Sequence, residues 1–288
     1  MHRRIAEQAR SGGLPVCRSL HARSGVPVQS RVRHLQDEHE GVALLTLTRH
    51  DARNALGTQL RSELLSALAA VRADERVRVV ILESAVRGVF CAGDDLKERV
   101  GMTASESAHA THELRRLFGD LEQLPMPTII VLEGAALGAG LGLSLACDFR
   151  IAGAKAQLGY PETALATIPG AGGTQRLPRL IGVSKAKELI YTSRRIGADV
   201  AEKIGLVDYA VDEGDALERA LALAREILPN GPVGVRMAKE AISKGMEVDL
   251  ATGMAIERAC YAQVIPTKDR VEGLMAFKEK RKPVYKGK

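Results

Sequence analysis

The chain has 288 residues, of which 45% are apolar and 26% charged, ordinary values for a globular protein with one substantial core. No apolar run is long enough to span a bilayer; tryptophan is absent and aromatics make up 3%, which leaves little material for base-stacking platforms. The formal net charge of +6 belongs to residues 1–34, which carry seven arginines (Arg3, Arg4, Arg10, Arg18, Arg23, Arg31 and Arg33) against Glu7 alone, so residues 35–288 are close to neutral and offer no basic face to nucleic acid.

An Arg-rich, Ser-containing, acid-poor start predicts a mitochondrial transit peptide over residues 1–34, with a basic tail that carries no address as the alternative. Cys17, Cys91, Cys147 and Cys260 lie too far apart for a zinc or redox motif, and free thiols in a reducing compartment are expected. Val42–Thr48 (VALLTLT) reads as a strand, followed by a helix over Leu56–Arg72 with Leu60, Leu64, Leu68 and Val71 on one face. Val77–Leu82 reads as a second strand, and Ala104–Leu124 as a helix closed by Pro125 and Pro127. Thr128–Leu132 (TIIVL) is a third strand running into Gly134–Gly142. This alternation predicts an α/β fold with parallel strands covered by helices to about residue 210. Helices are expected beyond it at Ala216–Leu228, Val233–Lys244 and Leu250–Val264, giving a core over 35–229 and a helical region over 230–288.

Three segments can bring backbone or a carboxylate to one site: Phe90–Lys97 (FCAGDDLK), Leu137–Gly142 (LGAGLG), and Tyr160–Thr163 (YPET) followed by Ile168–Leu177 (IPGAGGTQRL). Glycines at strand ends admit a ligand to the backbone, and the free N–H groups of a helix start favour negative charge. One such N–H from each of the first two segments would form an oxyanion hole. Leu143 stands where a dinucleotide fingerprint needs its third glycine, and no Gly-Lys-Ser/Thr phosphate loop occurs. Taken singly, each glycine cluster is equally explained by tight helix–strand packing, and Glu162 by a solvated loop acid.

Taken together and in order, these segments, with Leu137–Asp148 (LGAGLGLSLACD), Ile168–Pro178 (IPGAGGTQRLP) and Tyr261–Lys282 (YAQVIPTKDRVEGLMAFKEKRK), resemble the enoyl-CoA hydratase/isomerase (crotonase) family from about residue 32 to the C-terminus. The resemblance implies a crotonase-type spiral of ββα repeats with a helical C-terminal region, assembled as a homotrimer or a hexamer of two trimers. It implies an acyl-CoA substrate with no separate cofactor, metal or membrane, and a mitochondrial matrix address. Oxyanion donors would be the N–H groups of Asp94 and Ala139, with Glu162 as acid/base. Ala92, Asp95 and Leu96 would lie along the adenine and pantetheine, and Lys97, Phe277 and Lys282 near coenzyme A.

Three positions depart from that pattern. Hydratases of the family use two glutamates, and the first falls here at Gly142; loss of one acid/base partner costs about 10²–10⁴-fold. Asp94 replaces a small residue and is the candidate substitute acid, although a carboxylate beside a forming enolate opposes it. Ala139 replaces glycine but keeps its N–H. The leading reading is a mitochondrial hydratase-family enzyme acting on short-chain or branched 2-enoyl-CoA thioesters, with hydration impaired by Gly142; because the family's isomerases keep only the equivalent of Glu162, single-base Δ3–Δ2 isomerisation is the alternative, as is a non-catalytic CoA-binding role. The family's 3-hydroxyisobutyryl-CoA hydrolases share the glycine at 142 but carry aspartate where Gly170 stands, which argues against hydrolysis. One branch of the family also binds AU-rich RNA through a lysine-bearing helix; here Thr58, Ser62 and Ser66 take those positions, which argues against RNA.

Overall fold

The computed structural model describes residues 27–288, so most of the basic leader, and Cys17 with it, lies outside the described residues. Among the described residues, ten strands form two sheets. The larger has the order β1 (Ser30–His34), β2 (Val42–Leu47), β3 (Val79–Ser84), β5 (Thr128–Leu132), β7 (Phe149–Gly153) and β10 (Tyr209–Val211); the smaller has β4 (Val89–Cys91), β6 (Ala135–Leu137), β8 (Gln157–Gly159) and β9 (Arg195–Gly197). Each of β3, β5 and β7 feeds directly into its short neighbour in the second sheet before the chain turns into helix, which is the expected ββα spiral.

Why the central strands are unbroken apolar runs follows from burial on both faces. In β2, Ala43, Leu45 and Leu47 face one core while Val42 and Leu44 face the other; β3 divides Val80 and Leu82 from Val79 and Ile81 in the same way. The first core is closed by α1 (Thr58–Ala73) through Leu60, Leu64, Leu68 and Val71. It is also closed by α3 (Ala104–Glu122) through Leu114, Leu117, Phe118 and Leu121, a helix started by a Thr103–Glu106 capping box. The second core is covered by α8 (Ala216–Ile227) through Ala216, Leu217, Ala220, Leu221 and Ala224.

The parallel arrangement holds for the inner strands but not at two margins. β1 pairs antiparallel with β2, and β8 with β9. The second strand is also displaced two residues from the sequence reading, because Val77 lies in the approach to the strand and its N–H bonds Asp74 O instead of a sheet neighbour. Short helices α2 (Leu96–Arg99), α4 (Ala139–Leu145) and α7 (Ala198–Lys203), and the pair α5 (Gly173–Ile181) and α6 (Val183–Thr192), connect the repeats.

Three helices follow the core: α9 (Pro232–Gly245), α10 (Leu250–Val264) and α11 (Lys268–Glu279). Together with α8 they exceed the expected number by α11, whose apolar spacing is too irregular to stand out. A Lys239 Nζ–Asp148 Oδ2 ion pair at 2.7 Å and an Arg78 Nη2 bond to Asn230 O, just before α9, fasten this region to the core. It leaves large apolar side chains in the open, among them Met246, Leu250 and Phe277. Among the described residues no helix is long and apolar enough to cross a membrane.

Candidate active site

The three glycine-bearing segments meet at the ends of β4, β6 and β8, which are parallel neighbours. Gly93 follows β4 with φ of +107°, and Leu56 N–H bonds its carbonyl at 2.8 Å. A Cβ on Gly93 would lie 2.8 Å from Leu137 O and 3.5 Å from Ala139 N, so the peptide that carries the Asp94 N–H packs directly against the start of α4. Gly138 precedes that helix at φ +53°, and its N–H bonds Gly159 O at 2.9 Å. Ala139 is the first residue of α4, so its N–H points out of the helix at the positive end of the dipole. Among the described residues neither the Asp94 nor the Ala139 N–H has an acceptor within the chain.

Glu162 opens a 3-10 turn after β8. The turn is pinned by Thr163 Oγ1, which donates to Ile190 O at 2.5 Å and lies 2.7 Å from Ser193 Oγ. Oε1 lies 2.8 Å from where a Cβ on Gly138 would be, and Oε2 is buried without a hydrogen-bond partner. Burial raises the Glu162 carboxyl to about 7; its own backbone N–H offsets this slightly and the charge of Asp94 adds to it. A half-buried carboxyl with one oxygen unpartnered and titrating there has the properties of an acid/base group.

This shift predicts a stability effect. Because the folded pKa exceeds the ordinary 4.5, the contribution favours the fold below pH 4.5 and is lost as pH rises through about 7. Glu162→Gln is therefore expected to stabilise the protein at pH 8, by at most about 3 kcal/mol, and to leave it unchanged at pH 4. Thermal melts at the two pH values check this.

The Asp94 side chain is committed elsewhere. Arg99 Nε lies 2.5 Å from its Oδ2 and Arg61 Nη1 3.8 Å from its Oδ1. Arg99 is in turn held by Ser107 O at 2.6 Å and Thr111 Oγ1 at 3.1 Å on α3. A carboxylate clamped in this way is poorly placed to stand in for a missing acid, which weakens the rescue expected of it. A groove of about 1000 Å³ between α1 and α3 runs alongside, with Arg61, Glu98, Met102, His109 and Glu113 on its walls.

Asp95 is buried and caps α2 by accepting from Lys97 N at 3.0 Å, and it pairs with Arg49 Nη1 at 2.7 Å. Its carboxylate is therefore spent on the fold, and its backbone is what it leaves for a ligand. Ala92, Leu96 and Lys97 lie exposed on the same rim. Phe277 and Lys282 are exposed on the C-terminal region, and among the described residues no hydrogen bond or ion pair joins that region to the three site segments. Gly142 is buried in α4 against Phe118. Arg99 and Phe118 escaped the sequence reading; for Arg99 the only sequence signal was a cation five residues beyond Asp94.

Comparison with known proteins decides the family. A family model described as "Enoyl-CoA hydratase/isomerase" matches residues 37–288. The chain belongs to the enoyl-CoA hydratase/isomerase family. It is 53% identical over 261 residues to the human mitochondrial methylglutaconyl-CoA hydratase, covering 89% of this chain and 77% of that one. It is 51% identical over 276 residues to the human mitochondrial enoyl-CoA hydratase domain-containing protein 2, covering 94% of each. The crystal structure of an enoyl-CoA hydratase from Bacillus anthracis superposes with a TM-score of 0.87 at 51% identity, covering 90% of this chain and all of that one.

Proposed function

We propose that this protein moves a proton on a short-chain or branched enoyl-CoA thioester held in an oxyanion hole, with Glu162 as its single acid/base, in the mitochondrial matrix. The observation that carries the reading is the half-buried Glu162 carboxyl, its Oε2 without a partner, beside two backbone N–H groups with no acceptor. The N–H groups of Asp94 and Ala139 donate to the thioester oxygen as negative charge develops on it, which in comparable holes is worth about 3–4 kcal/mol per donor. Glu162 takes a proton from the α-carbon of a 3-enoyl thioester; the C–H electrons form the dienolate, and the same carboxyl returns the proton to the γ-carbon, leaving the 2-enoyl product. Atoms and charge balance without a second acid.

Water addition to a 2-enoyl-CoA, the activity in the names of several relatives, is the second reading. It is supported by the overall similarity to them and opposed by the missing carboxylate at Gly142 and the clamped one at Asp94. Ala92, Asp95 (through its backbone), Leu96 and Lys97 form the rim offered to the nucleotide end. The exposed apolar residues of α9–α11 suit burial in a trimer or a pair of trimers, in which Phe277 and Lys282 would reach a coenzyme bound to a neighbouring copy.

The test is to supply 3-enoyl-CoA and crotonyl-CoA separately. Conversion of the first to the 2-enoyl isomer, with hydration of the second at least about 10²-fold slower, is expected. Hydration as the faster reaction, unaffected by Glu162→Gln, would reject the assignment. Since the base must be ionised, kcat/KM should rise with pH to a plateau above about 7, and Asp94→Asn should move the midpoint downward by removing a neighbouring negative charge. The pH profile of the two proteins reads this directly.

A further inference from the structure

Gly142 lies mid-helix in α4 with its N–H bonded to Gly138 O at 2.9 Å. A Cβ at 142 would be in ordinary contact with Cδ2 and Cζ of Phe118 at 3.6 Å but would fall 2.9 Å from its Cε2, closer than real side chains approach, so any side chain there must displace the ring. The ring has little freedom to yield. Phe118 is fully buried on the inner face of α3, in the core shared with Leu114, Leu117, Leu121, Leu141 and Leu143. Nor can α4 back away, because a Cβ on Gly140, half a turn earlier, would already sit 2.4 Å from Cys91 O.

From this packing we infer that Phe118 is a specificity-determining residue that holds the site to one-carboxylate chemistry. Its ring takes the space of the first side-chain atom at 142 and presents hydrocarbon where a second acid would orient water. The missing acid at 142 and the aromatic at 118 are then one coupled feature, and restoring an acid at 142 alone does not restore water addition. Phe118 acts through position 142 and is not itself a catalytic residue. The inference rests on Glu162 being the acid/base.

The experiment compares wild type, Gly142→Glu, Phe118→Leu and the double variant for crotonyl-CoA hydration and for α-proton exchange of butyryl-CoA in D2O. Both single variants should hydrate within about tenfold of wild type, and the double variant should exceed wild type by about 10²-fold or more. Gly142→Glu hydrating as fast as the double variant would overturn the inference, as would a double variant that keeps exchange but hydrates no faster than wild type. Absence of Glu162-dependent exchange in wild type would strike at the acid/base reading instead, and a stability cycle separates the two failures. Gly142→Ala should lower Tm by about 2–6 °C in wild type and by less than half as much in the Phe118→Leu background. Additive Tm losses would refute the coupling whatever the activities.

Discussion

Glu162→Gln is expected to lower turnover of 3-enoyl-CoA by about 10²–10⁴-fold while leaving acyl-CoA affinity within a few-fold of wild type. The split follows from the geometry. The side chain is half-buried, its Oε2 is buried without a hydrogen-bond partner, and among the described residues no other residue hydrogen-bonds to it, so the amide removes proton transfer without removing a structural contact. The turn beneath it is held by Thr163, Ser193 and Ile190, all independent of the 162 side chain. Steady-state kinetics with 3-enoyl-CoA, and α-proton exchange with a saturated thioester, should both fall together. A variant that loses affinity but keeps kcat would mean that Glu162 binds rather than reacts.

Gly93→Ala is expected to be at least as damaging and for a different reason. At φ of +107° an L-residue is strained, and the added methyl would meet Leu137 O at 2.8 Å, forcing β4 and β6 apart where the Asp94 and Ala139 N–H groups converge. Misplacing one oxyanion donor costs about 10²–10³-fold in kcat, and under the proposed assignment both donors move. The backbone strain adds about 1–3 kcal/mol of destabilisation. Activity loss accompanied by a lowered Tm is therefore the expected pair of results, measured by steady-state kinetics and thermal denaturation. An unperturbed kcat would show that the junction of residues 93 and 139 does not hold the reacting carbonyl.

Much of the scaffold was legible because burial on both faces writes itself into sequence as unbroken apolar runs, as in Val42–Leu47 and Thr128–Leu132. The second sheet was not legible. Its strands are three residues each, shorter than any periodicity can register, and β4, β6 and β8 are defined by pairing with one another. Helix α11 was missed because its outer face is as apolar as its inner one, with Val271, Leu274 and Phe277 all exposed.

The site divides along the same line. Segments 90–97, 137–142 and 160–163 could be named in advance because glycines and a lone glutamate at strand ends are a pattern, and the family resemblance assigned each a role. What they do to one another depends on distances no pattern carries. That Asp94 would be held by Arg99, and Arg99 by Ser107 and Thr111, is a product of how α2 packs on α3. Phe118 reads as one more core residue of α3 until its ring is found against the glycine of α4. The side chain of Asp95, a residue expected along the ligand, is a helix cap paired with Arg49, since one carboxylate satisfies both needs at the start of α2.

The central claim is that a thioester oxygen sits between two backbone donors with one carboxyl over its α-carbon, and a structure with bound butyryl-CoA tests it most directly. The thioester oxygen is expected about 2.7–3.1 Å from both Asp94 N and Ala139 N, with the Glu162 carboxyl close enough to the α-carbon to take its proton and the Phe118 ring still filling the space at Gly142. A thioester oxygen away from either amide, or a Glu162 carboxyl turned from the α-carbon, would contradict it.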